Sequence, residues 1–126
     1  MPRYRAGEAA QRFRERRQRE DDSRRLSEVV PSLRTLRIEY DGLTASGRPA
    51  DVTYVRIVVI GRAPALFIEP CTDKTCKDGE HDNTDLIMRA LKSGETQFEG
   101  ETRCYGSVGS GDCGRTLRFT ATATYE

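Results

Sequence analysis

Four cysteines and one histidine are the residues of this chain best suited to metal chemistry, and all five fall in one segment of its second half. The cysteines are Cys71, Cys76, Cys104 and Cys113, and the only histidine is His81. Zinc is bound by thiolate and imidazole groups, and a structural zinc site takes four protein ligands in a tetrahedron. The sequence therefore predicts a structural Zn²⁺ site in this segment.

The spacing of the cysteines leaves the ligand set open. Four residues separate Cys71 from Cys76 and eight separate Cys104 from Cys113, whereas common zinc-binding pairs have about two to four. Four thiolates are the main hypothesis, and the alternatives are three thiolates with His81, two disulfides, or four thiols without metal. In the four-cysteine case we expect His81 in the turn before a helix, as a hydrogen-bond donor near the ligands. Three basic residues close in sequence would offset thiolate charge: Lys77, Arg103 and Arg115.

The same segment lacks the patterns of common enzymes. A zinc deaminase places His-x-Glu before its Pro-Cys motif, whereas Pro70-Cys71 precedes His81 here. A hydrolytic zinc site keeps one position for water, and no spacing favours such a site with Glu80 as its base. The GSVGSG run at 106–111 lacks the Gly-Lys-Ser/Thr ending of a phosphate loop. We therefore expect a protein that is not an enzyme, without catalytic residues or a small-molecule substrate.

Strands on either side of the cysteines must bring them together. Apolar and polar residues alternate over 33–41 and 116–125, which is typical of half-buried strands. Residues 52–60 are the most β-prone and predict a central strand with both faces covered. Residues 65–69 predict its hairpin partner, and 97–103 a weaker fourth strand.

A short amphipathic helix is predicted between the third and fourth strands, with Asp82 or Thr84 as its N-cap and Gly94 as its stop. The predicted fold class is α+β: a small antiparallel sheet of about five strands, zinc-stabilised, with one short helix packed on it. The apolar face of that helix comprises Leu86, Ile87, Ala90 and Leu91.

The N-terminal segment has a different composition. Residues 1–25 carry nine Arg and five acidic residues, a net charge of +4, whereas the rest of the chain sums to −3. Residues 7–25 are rich in helix formers and contain no Pro. We therefore expect a charged, Arg-rich helical arm over 1–30 and a zinc-binding β-rich domain over 31–126. A small apolar patch would tie the end of the arm to the domain: Leu26, Val29 and Val30.

A basic arm on a mildly acidic body suggests an anionic partner. The main hypothesis is a non-catalytic adaptor whose arm and sheet surface dock on a larger protein or protein–nucleic-acid assembly. The alternative is a nucleic-acid-binding accessory factor, with phosphate contacts that make affinity strongly salt-dependent. A third hypothesis is a redox sensor in which cysteine oxidation releases zinc. The arm residues expected to contact phosphates are Arg5, Arg12, Arg16 and Arg19.

Two absences in the sequence bear on the compartment. No apolar run approaches the roughly 18 residues of a membrane span. The basic start lacks the apolar stretch of about 7–15 residues found in a secretory signal. We therefore expect a cytoplasmic protein without a membrane partner, in which thiols stay reduced and available to a metal.

Overall fold

The computed structural model describes the backbone of residues 2–73, 75–77 and 79–126, and the side chains of these residues except 2–9, 12 and 51. The helices are α1 (Pro2–Asp22), α2 (Leu26–Val29) and α3 (Thr84–Lys92). The strands are β1 (Leu33–Leu43), β2 (Pro49–Val58), β3 (Ile68–Pro70), β4 (Glu80–Asp82), β5 (Gln97–Arg103), β6 (Ser107–Val108), β7 (Gly111–Asp112) and β8 (Thr116–Tyr125). The predicted α+β class is confirmed.

One antiparallel sheet of four strands forms the body, in the order β2-β1-β8-β5. The two central strands are the two with the clearest alternation in sequence. In β8 the inward side chains of Leu117, Phe119, Ala121 and Ala123 are buried while the residues between them are exposed. The alternation predicted for 116–125 is therefore confirmed, and it gives the sheet one buried inner face and one exposed outer face.

Helix α3 covers part of the inner face. Its residues Ile87, Met88, Ala90 and Leu91 are buried, whereas Leu86, predicted on the apolar face, is 39% exposed. The helix ends as predicted at Gly94, which has φ of +72°. Hydrogen bonds from Gly94 N–H to Leu91 O (3.1 Å) and from Glu95 N–H to Ala90 O (3.1 Å) close a Schellman motif.

The junction between α1 and the sheet is built by α2. Leu26 and Val30 are buried in the same apolar core as the inner face of the sheet. The Leu26 N–H donates to Ala63 O (2.9 Å) and the Ala65 N–H donates to Arg24 O (2.7 Å). The predicted apolar tie at the end of the arm is thus present, reinforced by backbone hydrogen bonds.

Two strand predictions were wrong. Residues 65–69 do not form a hairpin with 52–60, because β2 pairs with β1 and the short β3 pairs with β4 instead. After β2 the chain crosses to the start of α2, where Ala63 and Ala65 make backbone hydrogen bonds, and Phe67 is buried in the core with 0% exposure. Strand β2 is an edge strand rather than a central one, and its outer face is uncovered by the described residues.

Candidate metal centre

The four cysteines come from two loops that meet beyond one end of the sheet. The first loop runs from Cys71 to Gly79 and is closed by the β3–β4 pair, with the Cys71 N–H donating to Gly79 O at 3.2 Å. The second loop connects β5 to β8 and carries the small β6–β7 hairpin. The loops join where Lys77 and Ser107 exchange two backbone hydrogen bonds of 2.8 and 3.1 Å.

The sulfur atoms form a compact cluster. All four Sγ atoms lie within 4.8 Å of one another. Separations of 3.6 Å join Cys71 to Cys113 and Cys76 to Cys104, and each of these pairs draws one sulfur from each loop. A tetrahedron with metal–sulfur bonds of about 2.3 Å has edges of about 3.8 Å. The four cysteines thus have the chemistry and spacing to hold a metal ion, and all four are free thiols.

Two glycines let the backbone approach the sulfurs. A Cβ atom on Gly79 would lie 2.5 Å from Cys104 Sγ and closer still to Cys76 Sγ. A Cβ atom on Gly106 would lie 2.6 Å from Cys76 Sγ and 2.5 Å from the Lys77 carbonyl oxygen. The close approach of these atoms requires the missing side chain at both positions.

Backbone N–H groups point at the sulfurs. The Asp73 N–H donates to Cys71 Sγ at 3.4 Å and the Gly106 N–H donates to Cys104 Sγ at 3.3 Å, each from two residues downstream. Donors of this kind stabilise negative charge on sulfur, which is the form that binds a metal.

The thiols differ in how readily they ionise without a metal. Burial raises the pKa of Cys71 to about 12 and raises the pKa of Cys76 as well. Burial opposes ionisation of Cys113 too, but hydrogen bonds from the Arg115 N–H and from the other three thiols outweigh it and lower its pKa. A metal ion must therefore displace protons from this cluster on binding.

The charged residues beside the cluster differ in their contacts. Arg115 lies at the rim, with Nε 3.5 Å from Asp73 Oδ2 and Nη1 donating to Thr72 Oγ1 at 3.4 Å. Lys77 joins the two loops through its backbone hydrogen bonds with Ser107. The Arg103 guanidinium lies against Gly114, one residue beyond Cys113. Lys74 lies outside the described residues.

His81 is buried beside the cluster but outside it. Its Nδ1 lies 3.0 Å from the Thr102 carbonyl oxygen, and its Nε2 has no hydrogen-bond partner in the described part of the chain. Thr102 also donates its hydroxyl to Asn83 Oδ1 at 2.9 Å, and both His81 and Asn83 are 0% exposed. Burial lowers the pKa of His81. His81 thus links β4 to β5, and the group of ligand atoms found in the described part of the chain consists of the four cysteine sulfurs without its imidazole.

The arm residues predicted to bind phosphates have different surroundings. Arg19 donates to both carboxylate oxygens of Glu80, at 2.9 and 2.8 Å, and so fastens the end of α1 to β4. Arg16 lies on α1 and is half-buried. The side chains of Arg5 and Arg12 lie outside the described residues.

Sequence reasoning missed two features near the site. Gly79 and Gly106 were not singled out, although each lies within three residues of a predicted ligand. A buried polar cluster was also missed, in which Tyr54 donates to Glu69 Oε1 (3.0 Å) and Arg56 donates to Glu69 Oε2 (3.2 Å). No local sequence pattern indicates this cluster, because β2 and β3 belong to different sheets and only the tertiary structure brings their side chains together.

A scan against protein-family models, a search of curated proteins and a search of solved structures each found no match to this chain. None of the helices in the described ranges is both long and apolar enough to cross a membrane. The function is therefore inferred from the geometry of the cysteine cluster and of the exposed surfaces.

Proposed function

We propose that this protein is a non-catalytic binding module whose fold is held by one structural zinc ion on Cys71, Cys76, Cys104 and Cys113. The cluster of four sulfurs within 4.8 Å carries this proposal. Four protein ligands fill a tetrahedral site and leave no position for a water or a substrate, which is the arrangement of structural rather than catalytic zinc. The surroundings of His81 favour four thiolates over the set that includes its imidazole.

Metal binding is the stabilising element in this proposal. The loops that carry the cysteines contain only two-residue and three-residue strands. Elements this short bury little apolar surface, so a metal ion would supply much of the free energy that orders them. By joining the two loops, the ion would also hold β4 in place, and with it Glu80, which fastens α1.

The outer surface supports a protein partner over a nucleic acid. An open concavity of about 800 Å³ lies on the exposed face of the sheet. Its lining includes Glu39, Asp41, Glu99 and Glu101, of which Glu39 is paired with Arg37 and Asp41 with Arg118 (3.1 Å), so the two glutamates of β5 give the concavity its net negative charge. An acidic concavity of this kind repels phosphates and suits a basic protein segment.

One observation favours the alternative function, a nucleic-acid-binding accessory factor. Helix α1 presents Arg14 and Arg17 to solvent, together with Phe13, whose side chain is 57% exposed. Arginines that contact phosphates make affinity fall steeply with salt. The full chain and an Arg14→Gln, Arg17→Gln variant would be compared on heparin and on single-stranded oligonucleotides over a range of salt. A steep salt dependence that the variant loses would favour the alternative, and equal weak retention would favour the adaptor.

The metal proposal is tested by native mass spectrometry and elemental analysis of freshly purified protein. We expect one zinc per chain, thiols that react only after chelation, and loss of the native circular dichroism when the metal is removed. Tetrahedral sulfur sites also suit iron, which visible absorption would reveal. A metal-free protein with four readily titrated thiols and an intact fold would refute the proposal, and so would a mass four hydrogens lower, which marks two disulfides.

A further inference from the structure

Strand β2 presents an uncovered apolar row along one edge of the sheet. Val55 and Ile57 lie at alternate positions on the outer face of β2 and Val59 follows directly after the end of the strand, and their side chains are 47%, 74% and 63% exposed. An open groove of about 500 Å³ lies beside this row, lined in part by Ile57 and Ile60. Single exposed apolar residues are common on protein surfaces, but a contiguous row on one strand marks an interaction site.

The backbone of β2 is also unpaired on one side. Within the described residues β2 has one neighbour, β1, so every second N–H and C=O group along the strand points away from the sheet. An edge of ten residues with these groups free is a template for another strand.

The opposite edge of the same sheet has the usual protection. The outward residues of β5 are all polar or charged and exposed: Gln97, Glu99, Glu101 and Arg103. Charged side chains at an edge strand oppose the approach of a further strand. The two edges of one sheet thus have opposite character, and only β2 is suited to pairing.

We infer that β2 pairs antiparallel with β2 of a second copy of this chain, giving a two-fold dimer with a continuous eight-stranded sheet. A second copy of this chain offers the same edge, with both the unpaired backbone groups and the exposed apolar side chains that β2 presents. A strand placed antiparallel to itself about Val55 puts the two Val55 side chains next to each other and each Ile57 next to the partner's Thr53, so uncharged β-branched side chains meet across the two-fold axis. The described outward side chains of β2 carry no charge, so at these positions no like charges oppose each other: Thr53, Val55 and Ile57.

The inner face of β2 selects the register. Pairing centred on Val55 overlaps the whole run from Val52 to Val58 and places Val55 against the partner's Val55. It also places the Arg56 guanidinium beside the partner's Tyr54 rather than opposite the partner's Arg56. Like charges directly opposite each other destabilise a strand pair, and Arg56 already has its counter-ion in Glu69 (3.2 Å). This dimer depends on neither the metal nor the arm, and it goes beyond the proposed function.

The dimer should be of moderate affinity. A seven-residue strand pair with one apolar row buries less than the roughly 800 Å² per partner of a standard interface, so we expect a dissociation constant on the order of 10 μM. Sedimentation equilibrium of the full-length, metal-loaded chain from about 1 to 500 μM would measure it through the mass-action dependence on concentration.

Charge substitutions at Val55 give the decisive test. Val55→Glu places two carboxylates opposite each other across the two-fold axis and Val55→Lys places two ammonium groups there, so each variant alone should dimerise at least about 100-fold more weakly. An equimolar mixture should form a heterodimer within about tenfold of the wild-type affinity, because the opposite charges then meet. The matched controls Gln97→Glu and Gln97→Lys make comparable changes at the other edge and should leave the dimer unchanged.

The side chain of Val55 is 47% exposed, and metal content with circular dichroism would verify that each variant keeps its fold. Concentration-dependent protection of the β2 amides from hydrogen exchange gives a second readout on the wild-type chain, which needs no variant. A chain that stays monomeric over the whole range, or a dimer that persists in both Val55 variants, would overturn the inference. So would a mixture of the two variants that fails to associate.

Discussion

Replacing Gly79 with alanine tests whether the cysteine cluster holds the fold together. The new Cβ would lie 2.5 Å from Cys104 Sγ, closer still to Cys76 Sγ and 3.0 Å from Cys71 Cβ. Carbon and sulfur atoms in contact are normally at least about 3.5 Å apart, so the methyl group overlaps two sulfurs by about 1 Å. These sulfurs belong to different loops, and moving either one away opens the tetrahedron.

The expected cost follows from this overlap. Overpacking a filled site costs about 1–3 kcal/mol, and the displaced sulfur also weakens the metal. We expect the zinc affinity to fall by about 100-fold, which is about 2.7 kcal/mol, and the melting temperature to fall by about 10 °C. Competition with a chromophoric chelator would measure the affinity, and calorimetry the melting temperature.

Gly111→Ala is the matched control, because Gly111 lies in the second of the two metal-binding loops and a Cβ there meets only Val108 O, at 4.0 Å. We expect this variant to bind zinc and to melt like the wild type. Gly106→Ala should behave like Gly79→Ala, since its Cβ would lie 2.6 Å from Cys76 Sγ. A Gly79→Ala protein with wild-type zinc affinity and a melting temperature within about 2 °C of the wild type would refute the role assigned to the cluster.

Three further predictions concern the contacts around the site. His81→Gln should keep one metal per chain, but its free energy of unfolding should be about 2 kcal/mol lower than that of the wild type at pH 7.5. Burial holds the pKa of His81 below its ordinary 6.5, so as the pH falls from about 6.5 the unfolded wild-type chain binds a proton before the folded chain does. Wild-type stability should therefore drop more steeply with falling pH than the stability of the variant. Arg56→Met should lower the free energy of unfolding in urea by about 2–3 kcal/mol, because it leaves the Glu69 carboxylate, 11% exposed, without its cation. Adding Glu69→Gln should recover most of this stability, and a double variant as unstable as Arg56→Met would contradict the ion pair. Arg19→Gln should change the free energy of unfolding by less than about 1 kcal/mol, since the ion pair with Glu80 is partly exposed. Limited proteolysis should nevertheless cleave α1 faster in this variant than in the wild type. An unchanged cleavage rate would show that this ion pair does not hold α1 to β4.

Residue types and local periods determined much of the fold. The alternation over 116–125 fixed β8 and its buried face, and the apolar spacing with Gly94 fixed α3 and its end. The four metal-ligand candidates were also evident from the sequence, because four cysteines in one segment provide the thiolate ligands that a structural zinc site takes. These features depend on interactions between neighbours in the chain, so a local reading is enough to find them.

Long-range pairing was decided only by the tertiary structure. The hydrophobicity of 52–60 predicted a central strand, yet β2 lies at an edge with Ile57 74% exposed. A β-prone run has the same local pattern whether one neighbour pairs with it or two, because the second neighbour comes from a distant part of the chain.

The same reason applies to the cysteines. Sequence spacing groups Cys71 with Cys76 and Cys104 with Cys113, whereas in the structure sulfur separations of 3.6 Å also join the two loops, from Cys71 to Cys113 and from Cys76 to Cys104. Gly79 lies close to a sulfur from each loop, Cys76 Sγ and Cys104 Sγ, and leaves no room there for a side chain. The sequence by itself determined which atoms can bind a metal, and the meeting of two distant loops decided how those atoms are arranged.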